Sequence, residues 1–413
     1  MLTPVLLALI SPALADEPTL IVGGGTPQND APAEKKEGEH CSMPADKCKE
    51  GSCKDHAHGG GGEAAHGKHH DCQGGACAHK KDFDIRDYVE PVALLQVWGT
   101  AMDQDTDAQA DATGYGDPED DPGIKLKRLR LGIKGHAKGL RWRFALGTEA
   151  PYDGLETPDE NVGVEDALVG YEPIDGIGVE VGKGKVPFSR DQLMGAGDLT
   201  FTERGIAGEH IAPERSLGAS LYASRWGGKL QVGVYNSGGT LFGDDNPGKT
   251  FAGRLEYTLG KADPYKFYGG AEKKEFALGV GGSGFLTSDV STDSNGVGAD
   301  LMVRVFGVSL MVDAAMSTLT PTNTTVASPE VQGDTDRQGI TAQISYALGP
   351  IEPAVRYTAF KDSGLGDYSQ FLGGLAVHFI EDRVRVGAAY VVRMEGQSPV
   401  ENDTVRLWAQ FKL

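Results

Sequence analysis

An all-β transmembrane barrel of sixteen antiparallel strands is the fold this sequence predicts, and three observations carry the prediction. Residues 403–413 alternate, with Val405, Leu407, Ala409, Phe411 and Leu413 on one face and Thr404, Arg406, Gln410 and Lys412 on the other. From about residue 90 onward the chain falls into alternating runs of roughly the ten residues that a tilted strand needs to cross a bilayer. The connections between those runs are short and long in turn, as they are where one rim of a barrel carries tight turns and the other carries loops. A closing strand of this kind is what the barrel-assembly machinery of bacterial outer membranes reads. That machinery, outer-membrane lipid and lipopolysaccharide are therefore expected partners.

Taken in order, the runs lie near 90–102, 124–134, 140–149, 163–173, 177–186, 216–226, 229–237, 249–259, 273–283, 295–304, 306–317, 337–348, 351–361, 367–379, 383–393 and 403–413. Short turns are predicted at 135–139, 174–176, 227–228, near 305, at 349–350 and at 381–382, most of them marked by Gly. Long connections are predicted at 103–123, 150–162, 187–215, 238–248, 284–294, 318–336 and 394–402, with 362–366 the shortest of that set. The stretch 260–272 breaks the alternation, because it is long where a short turn belongs. A soluble repeat of β-blades also supplies many short strands, but it does not explain this alternation of connections.

Ahead of the barrel region, residues 89–413, stand two segments of different character. The apolar run from Met1 to Leu14, closed by Ala13-Leu14-Ala15, reads as a signal peptide over 1–15 and predicts export. Residues 16–88 form a leader, expected in the periplasm, that contains every cysteine of the chain: Cys41, Cys48, Cys53, Cys72 and Cys77. It also holds His56, His58, His69 and His70 among seven of the ten histidines. Thiolate and imidazole favour Zn or Cu, so these side chains are the candidate metal ligands. The spacings match no standard zinc finger, and a disulfide-tied or disordered leader is the alternative.

Composition narrows the function. No stretch after the leader reaches the eighteen or so apolar residues of a membrane helix, and the mean hydropathy of −0.31 agrees. The formal charge of −20 argues against nucleic acid as a partner. Much of it sits in predicted loops, as in Asp103, Asp105, Asp107, Asp111, Asp117, Glu119, Asp120 and Asp121. Segment 103–121 thus suits divalent cations that bridge lipopolysaccharide, while no cofactor is required. No Ser-His-Asp order, nucleophile elbow, phosphate-cradling Gly loop or HExxH helix occurs, so no catalytic residue is predicted and an enzyme is not expected.

The second and third strands carry the clearest site signal. Leu129, Leu131 and Ile133 share one face while Arg128, Arg130 and Lys134 share the other; Trp142, Phe144 and Leu146 oppose Arg141 and Arg143. An arginine facing lipid at mid-depth costs about 2–4 kcal/mol, so the arginines belong in the lumen. They make either an anion path or a charged wall that sets a transverse field. The connection 187–215, with Arg190, Arg204 and Arg215 among acids, is the candidate for a loop folded inward as a constriction.

Residues Val181-Gly182-Lys183-Gly184-Lys185-Val186-Pro187-Phe188-Ser189, then Phe201-Thr202-Glu203-Arg204 and Arg215-Ser216-Leu217-Gly218, resemble the G-x-x-K-x-P-F, F-x-E-R and R-x-x-G motifs of the phosphate-selective porins O and P. Arg128-Leu129-Arg130-Leu131-Gly132-Ile133-Lys134-Gly135 is similar to that family's basic second strand. The resemblance implies a sixteen-stranded, homotrimeric outer-membrane porin passing phosphate or other small anions, with the third loop folded inward. It makes Arg128, Arg130, Lys134, Lys185, Arg204 and Arg215 candidates for the anion path. The alternative expectation is a channel coupled to metal binding by the Cys/His leader.

Overall fold

The computed structural model describes residues 88–102, 123–149, 162–237, 247–266, 275–322, 333–364, 366–380, 382–395 and 403–413. They form β1 (Val89–Met102), β2 (Gly123–Ala137), β3 (Leu140–Glu149), β4 (Gly163–Ile174), β5 (Ile177–Gly184), β6 (Ser216–Arg225), β7 (Gly228–Asn236) and β8 (Lys249–Gly260). The second half of the wall is β9 (Ala277–Ser288), β10 (Thr292–Val305), β11 (Val308–Pro321), β12 (Thr335–Tyr346), β13 (Ile351–Asp362), β14 (Gly366–Phe379), β15 (Val384–Glu395) and β16 (Thr404–Lys412). Each strand pairs antiparallel with its sequence neighbours, and β16 pairs with β1, so the sheet closes as a sixteen-stranded barrel. The candidate metal ligands of the leader and the acidic segment 103–121 lie outside the described residues.

Alternation sorts the side chains by solvent. Leu131, Ile133, Phe144, Leu221, Leu255, Phe371 and Leu407 are exposed on the outside of the wall, where lipid would cover them. Arg128, Arg254, Arg304, Arg356, Arg385 and Arg406 are buried inside it. Exposed Tyr171, Trp226, Tyr257, Phe306, Tyr346 and Phe379 gather at the short-turn rim, an aromatic girdle suited to a membrane interface. Three turns there are two-residue hairpins with both φ positive: Lys138-Gly139, Trp226-Gly227 and Phe306-Gly307. That geometry matches the right-handed twist of the strands it joins.

Three register shifts interrupt the ladder, and those in β2 and at the β3–β4 pair set the charge pattern. In β2, Arg128 faces Gln96 and Leu126 faces Val97, which leaves Lys127 as an extra residue and carries Lys125, Lys127, Arg128 and Arg130 all to the lumen. In β4, Asp166 faces Ala145 and Val164 faces Leu146, so Glu165 and Asp166 both point inward. The hairpin of β9 and β10 differs from the sequence expectation of a loop at 284–294. Pairing continues through Ser294–Thr287, because Phe285 and Leu286 keep the in-out alternation and the polar residues beyond them still bond across the ladder. Only 289–291 remain as connection, closed by the Asp289 carboxylate accepting from Ser291 N at 3.0 Å.

Leu407→Arg places a charge on the outer face of β16 and is expected to destabilise the folded barrel by about 2–4 kcal/mol if it lies at mid-depth. The check is urea unfolding in lipid vesicles against Trp408→Phe, which changes a lumen side chain and introduces no charge.

Candidate functional site: a loop-crossed lumen

The connection between β5 and β6, residues 185–215 (L3), crosses the inside of the barrel. Its residues include two short helices, α1 (Arg190–Leu193) and α2 (Ile206–Ile211), and one 3-10 turn, Ala196–Asp198. The Ser189 side chain caps α1 by accepting from Gln192 N at 3.2 Å. The loop folds on itself: Lys185 Nζ donates to the carbonyls of Leu193 (3.0 Å) and Met194 (2.5 Å), and Gly205 N donates to Asp191 Oδ2 (2.7 Å). Gly205 is needed because a Cβ there would run into the Thr341 side chain on β12.

Apolar contacts hold L3 from both sides. Val186, Phe188 and Ile211 pack with Tyr235, Phe285, Phe360 and Tyr368. Met194 and Leu199 pack with Met311 and with Tyr265. Tyr265 belongs to the exceptional long connection at the short-turn rim, 261–276, whose described part folds inward: Pro264 O accepts from Arg190, the Tyr265 hydroxyl donates to Glu256, and Lys266 O accepts from Arg304.

Polar ties then fix L3 to strands around the wall. Arg190 Nε donates to Asp300 Oδ1 on β10 at 2.7 Å, with side-chain exposures of 0% and 1%, and Arg254 Nη1 on β8 bonds the other oxygen at 2.5 Å. Arg254 also donates to Phe188 O. Gln96 of β1 donates to Ala196 O, Arg128 of β2 to Thr202 O, and Arg385 of β15 and Gln410 of β16 to Gly197 O. Lys412 meets Asp198 at 2.5 Å, while Arg356 and Arg406 both meet Glu203. Removing one member of a buried pair costs about 3–5 kcal/mol, because the other charge is left unpaired in a poor solvent.

The structure pairs the sequence-predicted cations with acids or carbonyls instead of leaving a row of bare guanidinium groups. Arg130 meets Glu165 at 2.8 Å, Arg143 meets Asp166 at 2.9 Å, and Arg215 meets both at 3.2 Å. Arg141 meets Glu180 and Lys134 meets Glu90. Lys185 and Arg204 serve the loop's own carbonyls, and Arg190 the Asp300 pair. Sequence reasoning missed Glu165, Asp166, Asp300, Arg254, Arg356 and Arg406. The signal for the first two is the adjacent Glu165-Asp166 in an otherwise alternating strand. Between L3 and the β4–β7 wall a cleft remains, lined by Glu180, Lys185, Ser220 and Gln231 with Gly182, Gly184 and Gly218. The cleft is small, about 40 Å³.

Electrostatics inside L3 follow from poor solvation. Burial pulls Lys185 well below the usual lysine range, and the neighbouring Arg204 and Arg215 add to it. Burial pushes Asp191 and Glu209 above the usual carboxylate range, opposed at Asp191 by Arg204 and Arg356 and at Glu209 by Lys127, Arg204 and Arg128.

With this geometry in hand, the sequence profile of the family described as phosphate-selective porin O and P matches residues 100–275. Over those residues the chain is similar to that porin family. No curated protein sequence matches it. Among solved structures, the anion-selective porin of Comamonas acidovorans is similar at 14% identity and a TM-score of 0.56, covering 79% of this chain and 99% of that one. OmpF of Salmonella typhi, in complex with daunomycin, is similar at 11% identity and 0.54, over 80% and 99% of the two chains. A loop L8 deletion mutant of OmpT from Vibrio cholerae gives 13% and 0.51, over 79% and 99%. Identities this low speak for the fold, which is that of outer-membrane porins.

Two expectations follow for the porin in planar bilayers. Glu165→Gln with Asp166→Asn removes the acids facing Arg130, Arg143 and Arg215, and the zero-current potential in a KCl gradient should move toward anion preference. Lowering pH should do the same to the wild type. A carboxylate with a raised pKa gains its proton at a higher pH than an ordinary one, so L3 loses negative charge first. Glu209→Gln should remove part of that pH-dependent shift.

Proposed function

We propose that this porin is a diffusion channel for small anions, with phosphate or phosphorylated solutes as its cargo, and that it works as a homotrimer. The observation that carries the reading is the concentration of cations on the lumen face of β1, β2 and β16. Lys125, Lys127 and Arg406 surround the Trp98 ring at 5.4, 4.5 and 3.8 Å, with Arg128 alongside on Gln96. Guanidinium and ammonium groups at one side of a constriction raise the local concentration of anions and lower the barrier to their passage. Acids paired with the arginines of β2 and β3 set a transverse field across the remaining cleft, which orients a charged solute as it passes. The Comamonas porin is described as anion-selective, and the family is named for phosphate; both support the same cargo class.

Single-channel current of the refolded protein in a planar bilayer tests this. Anion selectivity in a KCl gradient, with current blocked by added phosphate and the block weakened in Arg128→Ala with Arg141→Ala, is the expected result. Cation selectivity without phosphate block overturns the anion reading.

A further inference from the structure

Glu203 of L3 sits in a receptor built by the barrel wall. Arg356 on β13 and Arg406 on β16 each take one oxygen of its carboxylate, at 2.6 Å to Oε1 and 2.5 Å to Oε2, and Arg356 also donates to the Glu203 carbonyl at 2.9 Å. Both guanidinium groups are backed by aromatic rings: Arg406 lies 3.8 Å from the centre of Trp98 and Arg356 lies 5.5 Å from that of Phe201. Trp98 is itself held by its indole N–H, which donates to Thr202 Oγ1 at 2.9 Å. The rings, Trp98 on β1 and Phe201 on L3 itself, lie beside the two guanidinium groups, whose Nη atoms reach the bound carboxylate.

The two halves of this contact differ in what carries them. Arg356 and Arg406 stand on strands locked into a closed ladder, whereas the carboxylate belongs to a loop. L3 is held independently by Arg190–Asp300, by Lys412–Asp198 and by the bonds of Arg385 and Gln410 to Gly197 O. Releasing Glu203 alone therefore leaves the loop in the lumen and the two atoms that held it, Arg356 Nη2 and Arg406 Nη1, at carboxylate spacing.

Resting on the porin reading above, we infer that Arg356 and Arg406 form an oxyanion site in the channel and that Glu203 is its tethered occupant, exchanged by a carboxylate or phosphate group of a passing solute. Each guanidinium group passes from the loop carboxylate to the solute oxyanion, and the displaced carboxylate carries its own charge away from the site. A side chain held by a short loop competes at an effective concentration on the order of millimolar, so dilute anions are admitted weakly and concentrated ones well.

The test titrates succinate and, separately, inorganic phosphate against single-channel current of the full-length protein and its variants. Glu203→Gln removes the competitor and should lower the half-blocking concentration about tenfold or more, while adding Arg356→Gln and Arg406→Gln should abolish that gain. Glu203→Asp, too short to reach both forks at once, should fall between, and it serves if Glu203→Gln does not fold. Tightening with succinate but not phosphate assigns the site to carboxylates, and the reverse assigns it to phosphate. An unchanged half-blocking concentration for both anions in a folded variant overturns the inference and makes Glu203 a structural clip. A wild type that forms no channel would instead count against the porin reading.

Discussion

Every backbone N–H and C=O inside a bilayer must find its partner within the protein, and pairing β1 with β16 is what meets that demand here. The register from Leu94 opposite Lys412 to Met102 opposite Thr404 leaves no open edge among the described strands. Closure fixes which side of each strand meets lipid, and with it the distribution of charge. Apolar residues go outward and arginines go inward, the reverse of a soluble protein. A sixteen-stranded ring is too wide for wall side chains to fill, so its interior needs a further element, and L3 supplies it.

L3 has the composition of a surface loop and the environment of a core. Its stability rests on two apolar clusters, one through Phe188 and Ile211 and one through Met194 packed with Tyr265. Its position rests on ion pairs, because a buried pair such as Arg190–Asp300 gives back in Coulomb energy roughly what desolvation costs. What the pair contributes is registry: the guanidinium has low energy only where Asp300 and the Pro264 carbonyl already stand. Residues 261–266 at the short-turn rim matter for the same reason, since they present that carbonyl.

The strands were legible because lipid enforces alternation over nearly every one of them. Where the wall bulges, the pattern still speaks: Leu126 and Leu129 both face away from the lumen although they lie three apart, and the two bases between them mark the inserted residue. The β9–β10 hairpin was misjudged because Ser, Thr and Asn beyond Phe285 look like loop residues, yet they serve equally well on a ladder that rises above the hydrocarbon. The partners of L3 were not legible. Arg190 and Asp300 are 110 residues apart, and alternation shows that a residue points inward without showing how far across the lumen it is met. Glu203 illustrates the same gap, since the motif that contains it says nothing of Arg356 or Arg406.

A tube of strands is stiff along its hydrogen-bond ladder and soft toward flattening, because squeezing it into an ellipse changes each inter-strand angle only slightly. L3 runs from β5 and β6 to the opposite stave at β13 and is bolted to β8, β10, β15, β16 and β1 around the ring. A crossbar anchored at opposite points of a ring opposes that flattening directly. Lateral pressure from the bilayer is then carried by salt bridges inside the lumen as well as by the wall, and the bore keeps its shape while lipids around it change.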